Sequence, residues 1–95
     1  MSAVTYLSEN AETLALYTTA ITRAHGKHHP EVFGVKKVYG ELTDKIADQG
    51  DKADLTPEFD ELRNLTQDFT IPADACPTMT KTYEMLAEAT KLNQK

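Results

Sequence analysis

Three histidines, His25, His28 and His29, lie within five residues of one another and are the side chains best suited to bind a metal. Imidazole nitrogens hold a metal ion when they converge on it. Gly26 and Pro30 interrupt the helical spacing around them, so convergence does not follow from the sequence. We favour a solvated turn between two helices, with His25 at a helix end where the dipole favours its charged form. The alternative is a metal site formed by His25, His28 and His29.

The remaining reactive side chains do not form a recognisable catalytic pattern. Cys76 lies near the start of a predicted helix, where a thiol can become reactive. However, the chain has no second cysteine, and we expect Cys76 to be a small packed residue. Glu58, Asp60 and Glu61 could act as acid–base carboxylates, but the preference for negative charge in a first helical turn explains them better. The sequence has no glycine-rich phosphate loop, no G-x-S-x-G motif and no Glu-x-x-His pair. We therefore predict no catalytic residue.

Composition restricts the partners and the compartment. The 95 residues carry 10 Lys and Arg against 15 Asp and Glu, a formal net charge of −5. This balance argues against binding to nucleic acid or to an anionic lipid surface. No apolar run is long enough for a transmembrane helix or a signal peptide. A single cysteine excludes an internal disulfide and indicates a reducing, cytoplasmic environment.

Helical periodicity dominates the chain, and residues 1–95 are expected to form one domain. Apolar residues recur at alternating steps of three and four, which turns one face of each helix inward. Helices are predicted at about 2–25, 30–48, 57–68 and 74–93. The four inward stripes are Val4, Leu7, Ala11, Leu14, Thr18, Ile21 and His25; Val32, Val35, Tyr39, Leu42 and Ile46; Phe59, Leu62, Leu65 or Thr66, and Phe69; and Cys76, Met79, Tyr83, Leu86 and Thr90. Short connections make consecutive helices antiparallel, so the predicted fold is a small all-α, up-down four-helix bundle.

Capping residues support these boundaries. Ser2 and Asp74 are suitable N-caps for the first and fourth helices, and Gly26 is a suitable residue just after the first. Gly34 and Gly40 weaken the second helix, and because they lack a Cβ we expect them to let another backbone approach closely.

Two stretches resemble a known family. Residues 23–32, RAHGKHHPEV, with 38–42, VYGEL, are similar to a V-H-G-x-x-H-P-E-L turn and the helix that follows it. Residues 62–76, LRNLTQDFTIPADAC, continuing to Tyr83 and Leu86, are similar to I-R-x-L-T-x-x-Y-T-x-P-x-x-A-C. Both patterns resemble, in the same order, the iron–sulfur cluster repair di-iron proteins (the RIC family) of the hemerythrin-like superfamily. The resemblance implies a hemerythrin-like bundle and a di-iron centre held by histidines and carboxylates from four helices.

Among the family's metal ligands, the histidine of the V-H-G turn has a counterpart here, His25. The first-helix histidine would fall near Ala3 and Val4, residues 44–48 contain no histidine, and residues 51–54 lack the Glu-His pair. The chain also ends before the family's closing H-x-x-x-E segment. One imidazole cannot hold two irons, so no cofactor is expected.

Two functions from different classes follow. The first is a shortened, metal-free relative of the repair proteins that acts as a binding or accessory module, with a protein partner or as a homodimer. Phe33, Tyr6 and Tyr17 fall off the inward stripes and could contribute to a dimer contact. The second is a metal-binding or redox protein that uses His25, His28, His29 and carboxylates, or completes its site by oligomerising.

Overall fold

The computed structural model describes residues 1–93, and every regular element within that range is helical. The predicted all-α class is therefore confirmed. The elements in chain order are α1 (Ala3–Glu9), α2 (Ala11–His25), α3 (Glu31–Gln49), a 3₁₀ turn (Gly50–Lys52), α4 (Thr56–Thr66) and α5 (Pro77–Asn93).

The segment predicted as one first helix is divided at Asn10. Ser2 caps α1 as predicted, since its side chain accepts a hydrogen bond from the Thr5 N–H at 3.0 Å. The Asn10 side-chain amide donates to the Tyr6 carbonyl at 2.8 Å, so it competes with the backbone for that acceptor. Asn10 takes non-helical angles, φ −108° and ψ 16°, while its carbonyl accepts from the Leu14 N–H and starts α2. The predicted span 2–25 is therefore two helices joined by one residue.

The helices pack through the predicted stripes. α3 contacts α2 and α4, and α5 contacts α1 and α2. Most stripe residues are buried, and Val4, Ile46, Leu65, Phe69 and Cys76 pack partly buried at the edge of the core. The prediction is wrong at Ala11, which is exposed. The largest fully buried side chains are Tyr83, Phe59, Leu7, Leu14, Ile21, Leu42, Leu55, Leu62, Met79, Leu86, Val32 and Val35.

At two glycines, Gly26 and Gly34, an added side chain would have little space. Gly26 directly follows α2, as predicted, and has a right-handed φ of −56°. A Cβ on Gly26 would lie 2.5 Å from the Phe33 ring, and one on Gly34 would lie 3.0 Å from the Leu65 side chain. The close approach of another backbone, predicted at Gly34 and Gly40, is wrong: the neighbour of Gly34 is the Leu65 side chain, and among the described residues nothing lies within 4 Å of a Cβ on Gly40.

α4 ends in an unusual left-handed turn. Gln67, Asp68 and Phe69 have φ values of 53°, 60° and 60°, a region that residues other than glycine seldom occupy. The Thr66 hydroxyl accepts from the Phe69 N–H at 2.8 Å, and the Arg63 carbonyl accepts from the Asp68 N–H at 2.7 Å. The loop that follows passes the α2–α3 turn before α5 begins, since Asp74 contacts His29.

Candidate functional site

The three histidines lie in different surroundings. His25 is half-buried at the end of α2, and its Nε2 is buried with no hydrogen-bond partner among residues 1–93. His28 is exposed. His29 lies at the edge of the core, with its ring centroid 6.3 Å from that of His25 in an edge-on arrangement. The structure thus brings His25 and His29 together and leaves His28 in solvent.

Two carboxylates flank the His29 imidazole. Its Nε2 lies 2.7 Å from Asp74 Oδ1, and its Nδ1 lies 3.1 Å from Glu31 Oε2. Both contacts are hydrogen bonds only when both ring nitrogens carry protons. The hydrogen bond with Asp74, followed by the one with Glu31, raises the pKa of His29, and the same imidazole lowers the pKa of Asp74. In its doubly protonated form the ring joins the α2–α3 turn to the loop before α5.

This histidine borders a cleft of about 420 Å³. The walls come from the start of α3, the end of α4, the left-handed turn with its following loop, and the middle of α5. Six of its lining residues are His29, Glu31, Leu65, Gln67, Pro72 and Tyr83. Polar and apolar groups thus share one concave surface, as is typical of sites that bind small molecules or inserted side chains.

Tyr83 is the exceptional residue of this cleft. It is 1 % exposed, and its buried hydroxyl has no hydrogen-bond partner within the part of the chain that the structure describes. Burial and, second, the nearby Glu31 carboxylate raise the pKa of Tyr83 to about 12, so the phenol is neutral. Buried polar groups usually have a partner, and an unsatisfied one costs about 1–3 kcal/mol.

The buried threonines show how the same core satisfies other hydroxyl groups. Thr18, Thr66, Thr82 and Thr90 each donate to the carbonyl four residues earlier in their own helix, at 2.7–2.8 Å. A tyrosine hydroxyl lies too far from its own backbone to do this. The sequence places Tyr83 on an inward stripe but contains no signal that its hydroxyl is left without a partner.

The start of α5 differs from the prediction. Asp74 was expected to cap this helix, yet its carboxylate accepts from His29, and α5 begins at Pro77. The Cys76 thiol takes the capping position, with its sulfur 3.4 Å from the Met79 N–H. Cys76 is also partly buried against the core, as expected for a small packed residue.

The acidic residues of α4 have a structural role. Glu58 pairs with Lys45 at 2.9 Å and so joins the end of α3 to the start of α4. Asp60 and Glu61 are exposed. The prediction of first-turn charge is confirmed for Glu58, whereas Asp60 and Glu61 lie beyond the first turn of α4.

Metal ligation by the three histidines stays a prediction. Both ring nitrogens of His29 face protein carboxylates, whereas the buried Nε2 of His25 is free of such contacts. No three or more His, Cys, Asp or Glu side chains in the described range are grouped as a metal site requires. Over the same range, no helix is long and apolar enough to cross a membrane.

Comparisons with known proteins give no family assignment. The chain matches no protein-family model, no curated protein and no solved structure at a significant level. The geometry of the cleft and the two motif stretches are therefore the features that bear on function.

Proposed function

We propose that this chain is a hemerythrin-like relative of the iron–sulfur cluster repair proteins that acts as a metal-free binding or accessory module. In this proposal α1 and α2 together form the first helix of an up-down four-helix bundle, and α3, α4 and α5 form the other three helices. The short connections support it, since five residues join α2 to α3 and three join the 3₁₀ turn to α4. Both motif stretches contribute to the same cleft, through Glu31 from the first and residues 65–72 from the second.

The observation that carries the binding role is the unsatisfied Tyr83 hydroxyl beside this cleft. A folded domain usually satisfies its buried polar atoms, and the exceptions are informative because a ligand can supply the missing partner. The cleft has a volume of about 420 Å³, which is large enough for a side chain of a partner protein.

The test is titration calorimetry of the purified chain against a full-length di-iron protein of the repair family, with iron content measured in parallel. We expect saturable binding by the wild type, weakened by Gln67→Ala, which removes an exposed amide from the cleft wall. Leu16→Ala is the matched control, because Leu16 lies on an exposed face of α2 outside the cleft. Absence of binding, together with about two irons per chain and an oxo-bridge absorption band, would refute the proposal.

The alternative is a metal-binding or redox protein of the di-iron repair type, with its site completed by oligomerisation. The buried, unpartnered Nε2 of His25 favours it, since a metal could occupy that nitrogen. The test measures the melting temperature of the protein with and without Fe(II) or Zn(II). A metal-dependent rise that His25→Gln abolishes, and that changing His28 and His29 together leaves intact, would establish this alternative.

A further inference from the structure

We propose that the cleft beside Tyr83 binds a cationic nitrogen group on an aliphatic stem, a guanidinium or a primary ammonium. This inference deepens the proposed function, because it specifies the chemistry that the partner presents. Two sources share that chemistry: the basic side chain of a partner protein and a free alkylamine.

The charges around the cleft favour a cation. Glu31 lines it and Asp74 contacts it through His29, so two carboxylates face one imidazole. Even with His29 fully protonated, the three groups sum to one negative charge. The lining of the cleft includes no lysine or arginine among the described residues. An anionic ligand would therefore meet repulsion, while a cation would restore the charge balance.

Several hydrogen-bond donors of the cleft wall already have partners within the chain. Most donors are already used within the chain: the Thr66 hydroxyl donates to the Leu62 carbonyl, and the Thr70 hydroxyl donates to the Gln67 carbonyl. Both ring nitrogens of His29 face carboxylates. The Tyr83 hydroxyl and the Gln67 side-chain amide remain as donors, so the preference for a cation follows from the charge balance.

Three residues that line the cleft carry acceptor atoms for a cationic ligand. Glu31 uses Oε2 for His29, which leaves Oε1, and the Tyr83 hydroxyl oxygen has no partner within residues 1–93. The Gln67 side-chain carbonyl is a third acceptor on the wall. Ammonium and guanidinium groups carry several N–H donors and no acceptor, which complements this set.

The apolar part of the cleft suits the stem of such a ligand. Leu65 and Pro72 line the same concave surface as the acceptors. Lysine and arginine bury their methylene stems along apolar surface while the charged end meets polar groups.

The experiment is an NMR titration of the ¹⁵N-labelled chain with Nα-acetyl-L-arginine amide. Nα-acetyl-L-citrulline amide is the matched probe, because its urea has the same shape without the charge. We expect the arginine probe to shift the amide signals of His29, Glu31, residues 65–70 and Tyr83, and to bind about tenfold more tightly than the citrulline probe. Equal affinity for the two probes, or no shift with the arginine probe, would overturn the inference.

Two variants test the acceptors. Glu31→Gln removes the charge and is expected to weaken arginine-probe binding about tenfold, whereas Glu61→Gln, the same change at an exposed site on α4, leaves it unchanged. Tyr83→Phe keeps the buried ring and removes the unpartnered hydroxyl, so the fold is retained while binding weakens several-fold. Wild-type affinity in both cleft variants would contradict the assignment.

The source of the cation is resolved by comparing an arginine-containing peptide with putrescine. Tighter binding of the peptide indicates a partner's side chain, and tighter binding of putrescine indicates a free amine; both orders support the shared chemistry.

Failure of this inference differs from failure of the proposed function. If the full-length repair protein binds equally well to wild type, Glu31→Gln and Tyr83→Phe, the cation site is wrong and the binding module stands. If the arginine probe binds but the repair protein does not, the cation site stands and the proposed binding module is wrong.

Discussion

At the scale of single residues, the start of α5 depends on a thiol. The Cys76 sulfur accepts from the Met79 N–H at 3.4 Å, the position in which serine or aspartate usually caps a helix. Sulfur is a weaker acceptor than a hydroxyl oxygen. The nearby Asp74 is engaged with His29, 45 residues away in sequence, and so cannot serve as the cap.

The capping role predicts an order of stability between two small substitutions. Cys76→Ser retains an acceptor, while Cys76→Ala removes it and leaves the first turn of α5 uncapped. We expect the alanine variant to be less stable than the serine variant by about 1 kcal/mol. Urea unfolding followed by circular dichroism measures the difference. Equal midpoints for the two variants would show that the thiol acts through packing alone.

At the scale of elements, the left-handed turn after α4 is the most strained connection. Each non-glycine residue in the left-handed region costs about 1–2 kcal/mol relative to the right-handed one. Three occur in succession here, at Gln67, Asp68 and Phe69. The Thr66 hydroxyl helps to hold the turn, since it accepts from the Phe69 N–H. The turn aligns Gln67 and the following loop with the cleft.

Glycine should therefore be favourable in this turn. Gln67→Gly relieves the steric cost of φ 53° but increases the entropy of the unfolded chain, so we expect a net gain in unfolding free energy of about 0.5–1 kcal/mol. Glu61→Gly, at an exposed position inside α4, should instead lose about 1 kcal/mol. Opposite signs in chemical denaturation support the strain, and a loss in both variants would contradict it.

The bridge between His29 and Asp74 predicts a pH dependence. The raised pKa of His29 means that its contribution to stability is full below the unfolded pKa of about 6.5 and disappears as pH rises through the folded pKa. The lowered pKa of Asp74 means that its contribution is full above about 3.8 and disappears as pH falls through the folded pKa. Glu31 on α3 and His25 on α2 are the other titratable groups beside this ring.

Melting temperatures of the wild type and Asp74→Asn test this window. We expect the wild type to be more stable by the largest margin between about pH 4 and pH 6.5, with the margin shrinking toward pH 9. His28→Gln is the control, because His28 is exposed and should follow the wild-type profile. A margin that is constant from pH 5 to pH 9 would show that the bridge does not depend on a protonated His29.

At the scale of the whole molecule, the sequence predicts the parts that depend on local periodicity. Residues such as Leu14, Leu42 and Leu86 recur at helical spacing, and each is fully buried in the structure. This works because burial of one helical face follows from the order of neighbouring residues. The helix division at Asn10 is also local, but a side chain that competes for one carbonyl has little effect on periodicity.

The candidate site was less predictable because long-range packing creates it. The hydrogen bond between His29 and Asp74 forms only because the loop before α5 passes the α2–α3 turn. No sequence pattern near either residue predicts that contact. The unsatisfied hydroxyl of Tyr83 is likewise a property of its neighbours. His25 was singled out from its stripe and from the family resemblance, yet it lacks the hydrogen bonds that His29 makes.

The core predicts the stability of the whole domain. Leu62 on α4 and Leu86 on α5 have no exposed surface and belong to one buried cluster. Truncating either one to alanine creates a cavity and should lower the free energy of unfolding by about 2–5 kcal/mol. A domain of this length has a total of about 5–14 kcal/mol, so either change removes a large share of it.

Leu16→Ala is the matched control, because it removes the same atoms from a side chain that is 66 % exposed and should change stability by less than about 0.5 kcal/mol. Urea unfolding of the three variants, with a common slope, measures the differences. The α4 substitution is the more informative, because α4 is only 11 residues long and is held mainly by α3. A small effect at Leu62 with a large effect at Leu86 would show that α4 is peripheral to the cooperative core. Large effects at both positions would place α4, and with it the turn that forms the cleft wall, inside a single cooperative unit.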